Sequence, residues 1–284
     1  MRRVLHYLAL ILLTTYIALL PGSSLLVSLN LVPTWGTGFG SILLLLQGSA
    51  MLGWLAWRYG RRGVVAGLVV ATLGFLVEYI GETTGFPFGR YQYTDLVQPK
   101  LFGVVPLAIC AAWMMTAAAS FEIARTLGEK RWGMRGVLLL TATLVLLLDL
   151  QIETVAALIN GYWVWIDSGP YYGVPTANFV AWWLVGFAMA AVLWRLLGGA
   201  THEVSALPAL PHKLFNRLPY PTRLMQHMPV ALYLLSTGMF TIINFARGYL
   251  LAGLIGLVVL FVAGGLSGYG GGVALRQTAH QQYD

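Results

Sequence analysis

The sequence predicts an all-α fold: a polytopic membrane helix bundle of about eight transmembrane helices containing a duplicated helix–loop–helix unit. Three observations carry this. Of the 284 residues, 58% are apolar and only 10% charged, with a mean hydropathy of +0.75. A soluble domain carries about 25% charged residues, so the bilayer is the solvent here. Apolar stretches recur eight times, at 4–20, 36–57, 63–85, 101–121, 137–160, 173–198, 228–246 and 249–270. Each is near the ~20 residues that a crossing helix needs. Finally, the polar connections alternate in charge. The same composition excludes a disordered chain, a disulfide scaffold and a nucleic-acid-binding domain, and the single cysteine, Cys110, allows no intrachain disulfide.

Backbone groups in lipid find no water, so each stretch reads as a helix. The first opens with Arg2-Arg3 and runs apolar to Leu20, the outline of a signal peptide, but no clear small-residue cleavage pattern follows and it reads as a retained helix. The N-terminus and the segments after the second, fourth, sixth and eighth stretches hold Arg2, Arg3, Arg58, Arg61, Arg62, Arg125, Lys130, Arg131, Arg135, Arg195, Lys213, Arg217, Arg223 and Arg276. That is fourteen of the seventeen Lys and Arg; the other side keeps Arg90, Lys100 and Arg247. The asymmetry places both termini in the cytoplasm, in the cell (inner) membrane. The chain reads as one integral membrane domain, 1–284. Its long polar connection, 199–227, contains Pro208, Pro211, Pro219 and Pro221 and is expected to lie along the cytoplasmic surface. His202, His212 and His227 fall in or beside it at no metal-ligand spacing. Asn244 and Arg247 read as an outer turn.

An internal repeat carries the polar residues, with units at 63–121 and 137–198. Glu78 precedes Glu82 by four residues, as Asp149 precedes Glu153. Tyr91 follows Glu82 by nine, as Tyr162 follows Glu153. The aromatic cluster Tyr91 and Tyr93 answers Tyr162, Trp163 and Trp165. Gly103-Val104-Val105-Pro106 answers Gly173-Val174-Pro175, and Trp113 and Trp182 each stand seven residues past that proline. Both units start from the cytoplasmic side, so they are expected to be parallel repeats about an axis near the membrane normal.

Four of the ten acidic residues sit in this frame. A carboxylate at mid-membrane costs roughly 2.5–3.5 kcal/mol, so four unpaired ones would cost on the order of 10 kcal/mol. An i, i+4 spacing puts each pair on one helix face. The repeat axis would let those faces meet in a polar pocket ringed by Tyr and Trp. Simpler readings stand beside this one. Glu82 and Glu153, close to helix ends, could reach water or cap a loop. The aromatics, with Tyr171 and Tyr172, could form an interfacial belt. Asn178 could serve the pocket or join two helices.

At these residues the sequence resembles the carotenoid hydratases of the CruF type, multi-pass membrane proteins of carotenoid biosynthesis. The resemblance lies in E-x-x-G-x-x-T-G-x-P-F-G-x-Y-x-Y at 78–93, L-x-G-V-x-P at 101–106 and Y-Y-G-V-P-x-x-N-F-x-x-W at 171–182. It covers about 78–185. Thr154 stands where proline is common in the family, and Ala181 where glycine is common. The resemblance implies a hydro-lyase of the carbon–oxygen class that adds water to the terminal double bond of a linear (ψ) carotenoid end group such as that of lycopene. The product is a tertiary alcohol. It also implies a carotenoid partner in the bilayer and other carotenoid-biosynthesis enzymes as neighbours.

The residues suit that chemistry. Hydrating an unactivated alkene needs a strong acid, a base to help water capture the carbocation, and π faces to support the cation. No redox or metal cofactor is required. Asp149 or Glu78, as the deeper members, are the candidate acids, with Glu82 or Glu153 as base or water positioner. Tyr91, Tyr93, Trp113, Tyr162, Trp163, Trp165, Tyr171, Tyr172, Asn178 and Trp182 are the candidate substrate-binding residues. Two other classes use similar parts. A metal-dependent membrane prenyltransferase would hold Mg²⁺ and a diphosphate on paired carboxylates. A proton-coupled lipid or ion transporter would also place carboxylates in repeats.

Overall fold

The computed structural model describes residues 2–198 and 224–262. Among these the chain is mostly helical, and six helices are long and apolar enough to cross a membrane. They are α1 (Arg2–Ser28), α2 (Phe39–Tyr59), α3 (Arg61–Thr84), α4 (Leu107–Glu153), α5 (Thr176–Leu197) and α6 (Met228–Ala246). A shorter apolar helix, α7 (Leu250–Val262), follows. Most of the 199–227 connection, with His202 and His212, lies outside the described residues, as does the end of the 249–270 stretch.

Helix α4 spans 47 residues. Straight, it would be about 70 Å long, over twice the hydrocarbon core. It is broken at Gly133, whose φ of 60° favours a residue without a side chain. Trp113 and Asp149 would stand about 54 Å apart on a straight helix. Both instead lie against the first turns of α5: Trp113 stacks on Trp182, and Asp149 accepts a hydrogen bond from Asn178. The helix therefore folds back at Gly133, and its limbs, 107–132 and 134–153, flank one site. The second limb runs on into a π-turn, Thr154–Ile159.

The two helices that follow the loops start later than the sequence reading has them. Helix α4 begins at Leu107 rather than 101, and α5 at Thr176 rather than 173. In each case a proline holds the N-cap in extended backbone, Pro106 at φ −62°, ψ 134° and Pro175 at φ −59°, ψ 137°. Its ring fixes φ, and it ends the loop where the helix begins. The all-α expectation also lacked the strands. β1 (Tyr91–Tyr93) pairs antiparallel with β4 (Trp163–Trp165), and β2 (Lys100–Leu101) with β3 (Val105–Pro106). Tyr-Gln-Tyr and Trp-Val-Trp alternate with period two and carry strand-favouring side chains, which suits a short ribbon.

Helix α4 is the hub, touching α2, α3, α5 and α6, while α1 packs on α2 and α6. Trp113, Phe121, Leu148, Met189 and Leu193 are fully buried between them. At the Arg-rich end, the Tyr59 hydroxyl donates to Glu122 (2.7 Å) and accepts from Arg125 (2.9 Å), tying α2 to α4. At the other end, the loops before β1 and after β4 are clasped by Arg90. It donates through its side chain to Asp167 Oδ1 (2.7 and 2.9 Å) and through its backbone N–H to Oδ2 (2.8 Å).

Candidate active site

The strand register builds the site. Alternation turns Tyr91 and Tyr93 inward and Gln92 outward; opposite them Trp163 is buried and Val164 exposed. Tyr91 faces Trp165 and Tyr93 faces Trp163, with ring centroids 5.1 and 6.0 Å apart. Four aromatic donors thus cover the ends of α3 and α4. A close approach makes this possible. A Cβ on Gly81 would lie 2.6 Å from the Phe88 ring and 3.0 Å from the Tyr91 hydroxyl, so only glycine lets the first loop fold onto α3.

Below the ribbon two buried carboxylates are held in like fashion. Glu78 Oε2 accepts from the hydroxyls of Tyr91 (2.5 Å) and Tyr93 (2.7 Å), and its Oε1 from Trp113 Nε1 (2.7 Å). Glu153 Oε2 accepts from the indoles of Trp163 (3.2 Å) and Trp165 (2.9 Å), and its Oε1 from Asn178 Nδ2 (3.0 Å). Each acid takes two aromatic donors from its own loop on one oxygen and one donor from the returning helix on the other. A carboxylate offers about four acceptor positions, so each keeps one free on Oε1. Trp113 and Trp182, the two tryptophans that follow the prolines, stack at 3.8 Å between the acids.

The hydroxyls of Tyr91 and Tyr93 are held well above the ordinary tyrosine range, first by burial and then by the Glu78 carboxyl beside them. They remain protonated donors across the physiological range.

Glu78 and Glu153 open into one cavity of about 540 Å³. Tyr91, Tyr93, Trp113, Tyr162, Trp163, Trp165, Asn178 and Trp182 line it as well. Four other sequence candidates stand elsewhere. Asp149 is fully buried behind Glu153; its Oδ2 shares the Asn178 amide (3.2 Å), and its Oδ1 has no hydrogen-bond partner among the described residues. Tyr171 donates to the Leu150 carbonyl (2.7 Å), and the Tyr172 hydroxyl accepts from the Leu251 N–H (3.0 Å), so these two brace the loop. Glu82, one turn nearer the loop than Glu78, is half-buried and makes no side-chain hydrogen bond among the described residues. In its hydrogen-bonded environment Glu78, rather than Glu82, is like Glu153. The four-residue frame misses this because the acid-to-ribbon spacing differs: thirteen residues from Glu78 to Tyr91, ten from Glu153 to Trp163. Tyr162 likewise falls one position before the ribbon, with its hydroxyl beside Gly40.

The structure adds residues the sequence reading did not single out. Asn244, read there as part of an outer turn, is fully buried on α6; it accepts from Thr154 (2.5 Å) and donates to the Gln151 carbonyl (3.1 Å). It thereby satisfies backbone at the π-turn next to Glu153, where the helical pattern of bonds shifts. Gln47 on α2 meets Ser236 on α6, which also meets Tyr16 on α1. An isolated amide in an apolar run was the available signal for both Asn244 and Gln47. Among the described residues no cluster of three or more His, Cys, Asp and Glu side chains could hold a metal ion.

A family model described as a carotenoid biosynthesis protein matches residues 39–263. The chain belongs to the carotenoid biosynthesis protein family. This bears out, at the level of family, the CruF-type resemblance read from residues 78–182. The chain is also 29% identical over 127 residues to the bisanhydrobacterioruberin hydratase of Haloarcula japonica, a match covering 44% of this chain and 43% of that protein. No solved structure matches significantly. Within this carotenoid biosynthesis protein both acids, their six donors and the stacked tryptophans fall inside the matched residues.

Proposed function

We propose that the protein is a carotenoid hydratase that adds water to the terminal double bond of a linear end group, giving a tertiary alcohol. The observation that carries the reading is that Glu78 and Glu153 face one aromatic-walled cavity from cradles of different chemistry. The indole N–H groups of Trp163 and Trp165 can only donate, so Glu153 Oε2 must accept, which suits an anion. Hydroxyls can turn to accept, so Tyr91 and Tyr93 let Glu78 carry a proton. Glu78 is therefore the acid and Glu153 the base.

The step balances as follows. The Glu78 proton adds to the CH carbon of the (CH₃)₂C=CH– end, and the positive charge falls on the dimethyl carbon. The π faces of Trp113, Trp182 and the ribbon support that cation, each worth about 0.5–2 kcal/mol. Water held by Glu153 bonds to the cation and gives its proton to Glu153; a cavity water then relays that proton from Glu153 to Glu78, which restores both groups. Asp149 acts through Asn178 on the orientation of Glu153 and is a positioning residue.

The reading includes the finer architecture: eight crossings, with α4 counted twice and α7 as the last, and a duplicated hairpin with Glu78 and Glu153 as counterparts. The like cradles and the matching Pro106 and Pro175 caps support the duplication. The fourteen-to-three split of Lys and Arg supports cytoplasmic termini in the cell membrane. The decisive experiment is expression in a lycopene-making host followed by mass spectrometry. A gain of one water by the wild type, absent with Glu78→Gln, is expected; an unchanged pigment overturns the reading, and a magnesium requirement would favour diphosphate chemistry.

A further inference from the structure

The cavity does not end at the acids. It extends along α1, where Ala18, Gly22 and Leu26 line it, and these three recur every four residues on one helix face. All three are exposed rather than packed against the described residues. Exposed wall residues on a helix this little buried mark a cavity open along that helix, and in a spanning helix such an opening faces lipid. The run from 18 to 26 covers about 12 Å of helix. Gly22 stands clear of the described residues: a Cβ there would find none of their atoms within 4 Å, whereas one on Gly40, also in the cavity wall, would collide with Tyr162. Helix α1 is the least buried of the six candidate spans and lies before the residues matched by the family model.

We infer that this opening is the exit slot for the hydrocarbon arm of the substrate, with the reacting end beside Glu78 and Glu153 and the remaining apolar chain leaving the protein across Ala18 and Gly22 into the bilayer. The inference rests on the proposed hydratase reading for the identity of the occupant. Geometry gives the rest. The cavity volume accommodates an end group and its adjoining segment, and the wall is apolar where the chain must pass. Side-chain size at positions 18 and 22 then sets how thick or branched an arm can be.

The test is a size series, Gly22→Ala, Gly22→Val and Gly22→Phe, with Ala18→Phe as an independent block. Leu25→Phe serves as a bulk control on α1 outside the cavity. Folding is checked by size-exclusion chromatography and circular dichroism. Lycopene binding is read by quenching of tryptophan fluorescence in detergent, and product by mass spectrometry. Filling the slot should raise the half-quenching concentration progressively, least with Gly22→Ala and by about tenfold or more with either Phe at 22 or 18, since atoms forced into an occupied space disfavour binding. Leu25→Phe should stay near wild type. Wild-type binding and turnover in the folded Phe variants, or in Gly22→Val if the larger ones misfold, overturns the slot. A wild type that binds lycopene at this slot but never hydrates it overturns the hydratase reading and leaves the slot standing.

Discussion

The Glu78 and Glu153 cradles share a plan and differ in one chemical respect. Both acids are buried, both take three donors, and both keep one acceptor position toward the cavity. Around Glu78 two of the donors are hydroxyls, which can reverse; around Glu153 two are indole N–H groups, which cannot, and the third is the Asn178 amide that also donates to Asp149. Two cradles of like plan thus become unlike partners through tyrosine at two positions of one strand and tryptophan at two positions of the other. Acid–base catalysis needs such inequality, since two identical acids could not divide the roles.

The comparison breaks most plainly at the acids. Glu78→Gln should lower turnover by about 10²–10⁴-fold while leaving substrate quenching in place, because proton transfer to the alkene is lost. Glu153→Gln should lower turnover to a similar degree and also destabilise the protein, by about 1–3 kcal/mol, because its amide N–H₂ would either face the two indole donors or turn the Asn178 amide away from Asp149. Glu78→Gln should leave the melting temperature nearly unchanged, since a tyrosine hydroxyl can turn to accept. Equal losses of stability in the two variants would remove the distinction between the cradles.

Smaller changes sharpen it. Tyr91→Phe with Tyr93→Phe should reduce kcat by about tenfold or more with little change in KM, as two bonds worth about 1 kcal/mol each are lost. Trp163→Phe with Trp165→Phe should act more on thermal stability than on kcat. Asn178→Leu, assayed in the same way, should cost less than either acid replacement but more than a single tyrosine hydroxyl, since both Asp149 and Glu153 lose their shared donor. The smallest effect is expected at the loop clasp. Arg90 holds the Asp167 carboxyl below its ordinary range, chiefly by hydrogen bonds. A lowered value means the clasp contributes above the usual carboxylate range and is lost as pH falls through the Asp167 value. Limited proteolysis of the loops against pH should show protection fading only in acid, and Asp167→Asn should remove that dependence.

Much of this was legible in the sequence. Hydropathy located the spans because lipid leaves the backbone few options, and the cost of burying Glu78, Asp149 and Glu153 marked them before any coordinate. The matching aromatic clusters of the two hairpins pointed to a pocket ringed by Tyr and Trp, but not to the strands that carry them. The pairing of Glu78 with Glu153 could not be anticipated. Equal i, i+4 spacing pointed to Glu82, while the equivalence depends on loop lengths and on a π-turn that hydropathy does not register. The fold-back at Gly133 was visible only as a basic connection. The α1 wall was invisible as a site, since Ala18, Gly22 and Leu26 are ordinary members of an apolar run and gain meaning only beside a cavity.

The donors of each acid come from nearby in the chain: every partner of Glu78 lies within the following 35 residues, and every partner of Glu153 within 25. Biogenesis inherits an order from this. As the ribosome feeds the first hairpin to the membrane, its carboxyl is capped by groups that emerge shortly afterwards, before the second acid has been synthesised. Each half can settle into lipid with its cradled carboxyl already partnered, while the pairing of β1 with β4, the Trp113–Trp182 stack and the Arg90–Asp167 clasp must await both.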